Sequence, residues 1–256
     1  FWLKHLAQVP PSLVLHEVLF LSSFRGGMFT WCSALAEPLN TIILFDWDNT
    51  LFSTSAVTQE SHTLQEMETL SSCVEAVLRV SRRLGHTAVV TNSLEGWVAM
   101  SSREYLPRSW NLLYGTEVVS ARSQYEHMAP GNTAAWKHIA FQKILEANAW
   151  RSRSGINLIV IGDSMDEMAA ASSVSKMSQT PVTLKTVKFK DNPSANDVIQ
   201  QLSELAGALE SLVEVEGDAS LYMCEQAGCF QLVRNMDSFF RPSPSFDRSP
   251  SYFIRA

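Results

Sequence analysis

Four groups of polar residues carry types and spacings that could do chemistry together. Asp46-Trp47-Asp48-Asn49-Thr50 closes an apolar run, Thr91-Asn92-Ser93 closes a second, and Gly162-Asp163-Ser164, with Asp166 and Glu167, closes another; Lys137 lies near the start of a helical pattern. Taken singly, each has a plain reading as a solvated loop, a turn cap or a surface charge. Taken in order, they fit phosphoryl transfer through an aspartyl-phosphate. A carboxylate can attack phosphorus and so divide one difficult hydrolysis into two easier steps. Asp46, at a strand end, suits the nucleophile. Asp48 lies two residues on, on the same side of an extended chain, and could protonate the leaving oxygen and then activate water. Attack by one anion on another needs charge neutralisation, for which Asp46, the Asp48 main-chain carbonyl and Asp163 would offer Mg²⁺ a hard oxygen site. Thr91 could hydrogen-bond a phosphoryl oxygen, and Lys137 could offset charge on phosphate and on Asp46.

The elements that must position these residues alternate along the chain. Strand patterns occur at 41–46, 86–91, 117–120, 156–162 and 181–187. Between them, Leu64, Met67, Leu70, Val74, Val77, Leu78 and Leu84 recur at helical steps, and Gly85 stands where a left-handed C-terminal cap belongs. Further helices are expected at about 95–105, 133–147 and 166–175. A last one carries Val198, Leu202, Leu205, Leu209 and Leu212 on one face, a stripe suited to packing on a sheet. Five strands alternating with helices imply an α/β architecture with a parallel sheet covered on both faces, where ligands sit beyond the carboxyl ends of the strands.

Composition narrows the setting. The 256 residues, 46% of them hydrophobic, can bury a full core. Residues 1–38 read as an N-terminal extension, 39–215 as the catalytic domain, and 216–256 as a largely disordered tail of loop composition. The sequence opens on Phe1, and Met28 would serve as a start. A net charge of −6 argues against nucleic acid or an anionic membrane as partner, since both need clustered cations. No run approaches the ~18 apolar residues of a membrane span. Four scattered cysteines without a CxxC pair point to free thiols and a cytoplasmic protein, with Cys224 and Cys229 in the tail. The histidines lack metal-ligand spacing. Arg122 reads as a surface salt-bridge partner, and Trp97, Trp110, Trp136 and Trp150 as core or core edge.

Ile42 to Thr50, a hydrophobic run followed by DxDxT, resembles motif I of the haloacid dehalogenase superfamily. Thr91 is similar to its motif II, Lys137 to motif III, and Gly162-Asp163-Ser164 with Glu167 to motif IV; the resemblance covers about residues 41–190. More loosely, Asn92–Trp97, Ser120–Glu126 and Trp136-Lys137 are similar to a branch of uncharacterised eukaryotic members, many from protists. The resemblance implies a three-layer Rossmann-like fold with a five-stranded sheet of order 5-4-1-2-3. It further implies Asp46 as nucleophile, Asp48, Thr91 and Lys137 as catalytic partners, Thr50 and Asn92 beside the substrate, and Mg²⁺ at Asp46, Asp48, Asp163 and Glu167. Asp166 is the alternative to Glu167, and Lys143 the alternative to Lys137.

Asp48 favours phosphomonoester hydrolysis within that superfamily, because dehalogenation needs no acid and the ion-pumping ATPases carry Thr at that position. The intervals Thr50–Thr91 and Thr91–Lys137 are too short for a large cap domain. An open site of this kind would admit a phosphoprotein or another phosphorylated substrate, or be closed by a partner protein. The alternative is a relative without turnover that binds phosphate or phosphopeptides. A dinucleotide-binding fold is disfavoured, as Asp46–Thr50 contains no glycine.

Overall fold

Uninterrupted runs of branched apolar residues form the strands at the centre of the molecule, where both faces of a sheet are buried. Along β1 (Asn40–Phe45), Ile43 and Phe45 face one core while Ile42 and Leu44 face another. The computed structural model describes residues 40–151 and 154–234. The extension expected over 1–38, with Met28 and Cys32, and residues 235–256 of the expected tail lie outside the described residues. After β1 come α1 (Thr54–Thr58), α2 (Leu64–Leu84), β2 (His86–Thr91), α3 (Trp97–Tyr105), α4 (Trp110–Tyr114), β3 (Glu117–Ser120) and α5 (Ala121–Tyr125). They are followed by α6 (Thr133–Asn148), β4 (Ile156–Gly162), α7 (Met165–Met177), β5 (Val182–Lys188), α8 (Ala195–Glu214), β6 (Ala219–Gln226) and β7 (Cys229–Arg234).

The result is an α/β protein of Rossmann-like class. One core packs α2 and α8 against the sheet face that carries Ile43, Phe45, Val89, Ile159 and Ile161. The other packs α6 and α7 against Ile42, Leu44, Ala88, Val90, Leu158 and Val160. The amphipathic stripes read from the sequence supply these contacts: Leu70, Val74, Val77 and Leu78 of α2, and Val198, Leu202, Leu205 and Leu209 of α8, are fully buried. Each such side chain contributes about 1.5–3 kcal/mol through its removal from water.

The expected five-stranded sheet of order 5-4-1-2-3 is corrected by two further strands, which continue that run beyond β5. The sheet has seven strands, arranged β3-β2-β1-β4-β5-β6-β7. All neighbours are parallel except β6 and β7, which form an antiparallel hairpin beyond β5. Residues 219–234 are therefore not tail. The hairpin turns at Ala227 and Gly228, both at positive φ, as a two-residue turn matched to the strand twist requires. Only α1 and α2 separate β1 from β2, and only α3, α4, β3 and α5 separate β2 from α6. Among the described residues, no helix is long and apolar enough to cross a membrane.

Gly85 follows α2 as expected, but not as a left-handed cap. Its φ is 177°, an extended value open to any residue. The glycine is needed because the chain passes β1 closely: a Cβ there would lie 2.3 Å from the Thr41 carbonyl oxygen. Gly85→Ala is expected to destabilise the fold by about 1–3 kcal/mol, the usual cost of overpacking, read from the midpoint of urea unfolding. An unchanged midpoint would show that β1 yields at this contact.

Candidate active site

The ladder between β1 and β4 extends one residue past the strand, with the Asp46 amide donating to the Ile161 carbonyl at 2.9 Å. The chain then folds sharply. The Trp47 carbonyl accepts from the amides of Leu51 and Phe52 at 3.0 and 2.9 Å, and Asn49 adopts a φ of 59°, which asparagine tolerates better than most residues. Trp47 anchors the loop; it is fully buried and donates its indole N–H to Ser101 Oγ at 3.1 Å. Asp48 is thus presented by a turn and not by an extended chain, which corrects the geometry inferred from the sequence.

Asp46 and Lys137 form a buried ion pair at the carboxyl end of β1, 6% and 1% exposed. The other carboxylate on Lys137 is Glu167 Oε1, at 3.0 Å. Burial pushes the Asp46 carboxyl above its ordinary value, to about 7; Glu167 and Asp48 add to this, and Lys137 opposes it. Burial also works against the Lys137 ammonium, but Asp46 and Glu167 outweigh it and hold the lysine above its ordinary value. For Glu167, burial is outweighed by Lys137 and Ser164, so its carboxyl stays below the usual range. Glu167 Oε2 accepts from the Ser164 amide at 2.9 Å and from the Ser164 hydroxyl, closing a capping box at the start of α7. A glycine precedes this turn because a Cβ at Gly162 would lie 2.9 Å from Glu167 Cγ. The two alternatives fall away from this cluster. Asp166 is exposed and lies 3.4 Å from the Thr133 hydroxyl, and Lys143 pairs with Glu146 at the surface.

Asp48 sits in a second cluster. Its Oδ1 accepts from Thr54 Oγ1 at 2.7 Å and Trp97 Nε1 at 2.8 Å; its Oδ2 accepts from Thr91 Oγ1 at 2.9 Å and Ser93 Oγ at 2.8 Å. Four donors fill the acceptor positions of a carboxylate. Three are hydroxyls, which can rotate and accept a bond from a protonated oxygen, whereas the indole can only donate. Thr91 is held in turn by the Ser93 amide at 2.9 Å. Its hydroxyl is spent on Asp48 in this arrangement.

The remaining expected residues lie around these two clusters. Thr50 is buried, its hydroxyl 3.4 Å from Asp46 Oδ2. Asn92 gives its amide to the Thr133 carbonyl at 3.3 Å, tying the β2 end to the start of α6, while its Oδ1 is buried without a partner among the described residues. Asp163 receives no side-chain hydrogen bond among the described residues, and burial with the charge of Glu167 raises its carboxyl to about 6.

These surroundings bear on a metal. Among the described residues, no three His, Cys, Asp or Glu side chains are grouped to hold one. The oxygen of Glu167 nearest the cluster faces Lys137 and the other caps α7, so Glu167 is not available as a direct ligand. What is left is two carboxylates, Asp46 and Asp163, both raised chiefly by burial and further by Glu167, and the Asp48 carbonyl. Such a set fits Mg²⁺, which takes one or two carboxylates and keeps several waters.

Two site residues escaped the sequence reading, Thr54 and Trp97, and Ser93 is read within a chemistry-bearing group without a role of its own. Ser93 directly follows the Thr-Asn pair, but nothing in the spacing of Thr54 or Trp97 marks them as partners of Asp48. Trp136 is buried as expected, and Trp150 is exposed, contrary to expectation. Arg122 forms its surface pair with Glu126 at 3.2 Å. Cys224 and Cys229 are free thiols, but on β6 and β7 and not in a tail. Comparisons of the chain with protein-family models, with curated proteins and with solved structures found no match.

Proposed function

We infer that this protein is a Mg²⁺-dependent phosphomonoester hydrolase of the haloacid dehalogenase type, acting through an aspartyl-phosphate. The supporting observation is the buried Asp46–Lys137–Glu167 cluster at the end of β1, with Asp48 held by four donors in the loop that follows. In this reading an Asp46 oxygen forms a bond to phosphorus as the bond to the leaving oxygen breaks, and Asp48 gives that oxygen its proton. Water then attacks phosphorus, Asp48 takes the proton back, and the bond from Asp46 breaks to release inorganic phosphate. The hydroxyls of Thr54, Thr91 and Ser93 can turn to follow the proton on and off Asp48. Lys137 offsets the charge of Asp46 and of the phosphoryl oxygens. Asp46, Asp163 and the Asp48 carbonyl would hold Mg²⁺, which supplies neutralising charge to the phosphoryl group.

With no domain inserted after β1 or β2, the site would be open to a phosphoprotein or to a smaller phosphorylated substrate, or closed by a partner. The free thiols of Cys73, Cys224 and Cys229 fit a reducing compartment such as the cytoplasm. Phosphate release from p-nitrophenyl phosphate is expected with Mg²⁺, to disappear on chelation and to return when Mg²⁺ is restored. Undiminished activity under chelation would overturn the metal's role. A folded, Mg²⁺-loaded protein inactive on this ester and on a panel of phosphomonoesters would overturn the hydrolase reading.

A further inference from the structure

Beside the candidate site, the loop after β2, helices α3 and α4, and strand β3 enclose a cavity of about 300 Å³. Its inner wall includes Val98 and Leu113, both nearly fully buried, and Thr91. Its rim carries Leu94, Tyr114 and Val118, which are 59%, 83% and 41% exposed. Large apolar side chains left in water around an apolar floor mark a binding surface better than scattered ones do. The cavity is also tied to the chemistry. Thr91 belongs to its wall and donates to Asp48. The Ser120 hydroxyl, in the same wall, donates to the Ser93 carbonyl at 2.6 Å, and Ser93 is another donor to Asp48. One short segment therefore both lines the cavity and holds the residue assigned to protonate the leaving oxygen.

The lining also restricts what can bind. It contains no lysine, arginine or histidine, and its one charged residue is Glu95. A second phosphate or a carboxylate on the substrate would find no cation in the lining itself, Arg103 being stacked over the Trp110 ring at 5.3 Å, which disfavours nucleotides and polyphosphorylated sugars. Trp110 and Tyr114 offer aromatic surfaces, and the volume is at the lower end of the range of small-molecule pockets, enough for a ring system. We propose that this cavity is the leaving-group subsite of the candidate site, and that it takes the aromatic ring of an aryl phosphomonoester. The proposal rests on the hydrolase reading for its role in turnover, but the cavity's affinity for a ring does not depend on turnover.

The experiment has a binding arm and a kinetic arm. Binding of 2-naphthol is followed by calorimetry in the wild type and in Ala99→Phe and Val118→Glu. Both altered positions are exposed cavity-lining residues away from the reacting groups, and circular dichroism checks that each variant is folded. The kinetic arm compares 1-naphthyl phosphate, a phosphotyrosyl peptide and a phosphoseryl peptide. The wild type is expected to bind 2-naphthol and each variant to bind it at least about tenfold more weakly, with the same loss in kcat/KM for aryl esters and none for the phosphoseryl peptide. Turnover of the phosphotyrosyl peptide would assign the ring to a protein, and turnover of naphthyl phosphate alone to a small molecule; either supports the subsite. Equal naphthol binding by wild type and variants, or no binding by the wild type, would overturn it even if phosphate is released. Naphthol binding lost in the variants, with no ester hydrolysed, would keep the ring site and reject the hydrolase reading.

Discussion

Asp46→Asn is expected to lower Mg²⁺-dependent phosphate release by about 10⁴-fold or more, the scale seen when a covalent nucleophile is removed, while the protein stays folded. Asparagine keeps the size of the side chain but cannot serve as the carboxylate nucleophile. Lys137 stays paired with Glu167 at 3.0 Å, so the cluster changes from one cation with two anions to one with one. The effect on stability should run the other way from the effect on rate. The Asp46 carboxyl is raised from 3.8 to about 7 in the fold, so the folded chain holds its proton more tightly than the unfolded one. Ionising it costs stability as pH rises through that interval, and the cost persists above it. At pH 8 the variant should therefore unfold no earlier in urea than the wild type. Activity that survives the substitution would reject Asp46 as nucleophile. A strongly destabilised variant would mean that the Asp46–Lys137 pair supports the fold more than it strains it.

Lys137→Met should have the largest effect on stability. Methionine is close in length, but it leaves Asp46 and Glu167 buried and facing each other without a cation. Removing one partner from a buried ion pair costs about 3–5 kcal/mol, because the remaining charge is left uncompensated. Urea unfolding should show a loss of that order, and phosphate release should fall with it, since Asp46 would be held protonated. The double variant with Asp46→Asn should regain part of the stability, with a coupling of about 0.5–3 kcal/mol between the two positions. Strict additivity would show that the pair does not interact as its geometry indicates.

The sequence alone determined much of the frame that these predictions rest on. The stripes of α2 and α8 and the apolar runs of β1, β2 and β4 are legible because their periods match the faces they bury. The placement of Asp46 and Asp163 at strand ends follows from where those runs stop. The choice of Lys137 over Lys143, made from its place at the start of α6, agrees with its contact with Asp46. The β6–β7 hairpin was not legible: half its positions face solvent, polar Glu225, Gln226 and Gln231 interrupt its pattern, and its turn is Ala-Gly and not the Asn-Gly that usually signals one.

Tertiary structure alone decided how the two clusters are joined. Whether Asp48 would follow an extended chain or a turn depended on Trp47 burying itself against Ser101, a contact between segments far apart in sequence. The donors on Asp48 come from the first residue of α1, the end of β2 and the loop after it, and the first residue of α3, and Trp97 reads from its spacing as an ordinary core residue. Glu167 looked like a metal ligand until the packing of α6 beside α7 gave one of its oxygens to Lys137 and the cap of α7 took the other. Local periodicity sets which residues reach the end of the sheet. Which of them share a proton, a charge or a ligand is set by contacts between elements that the sequence does not order by distance.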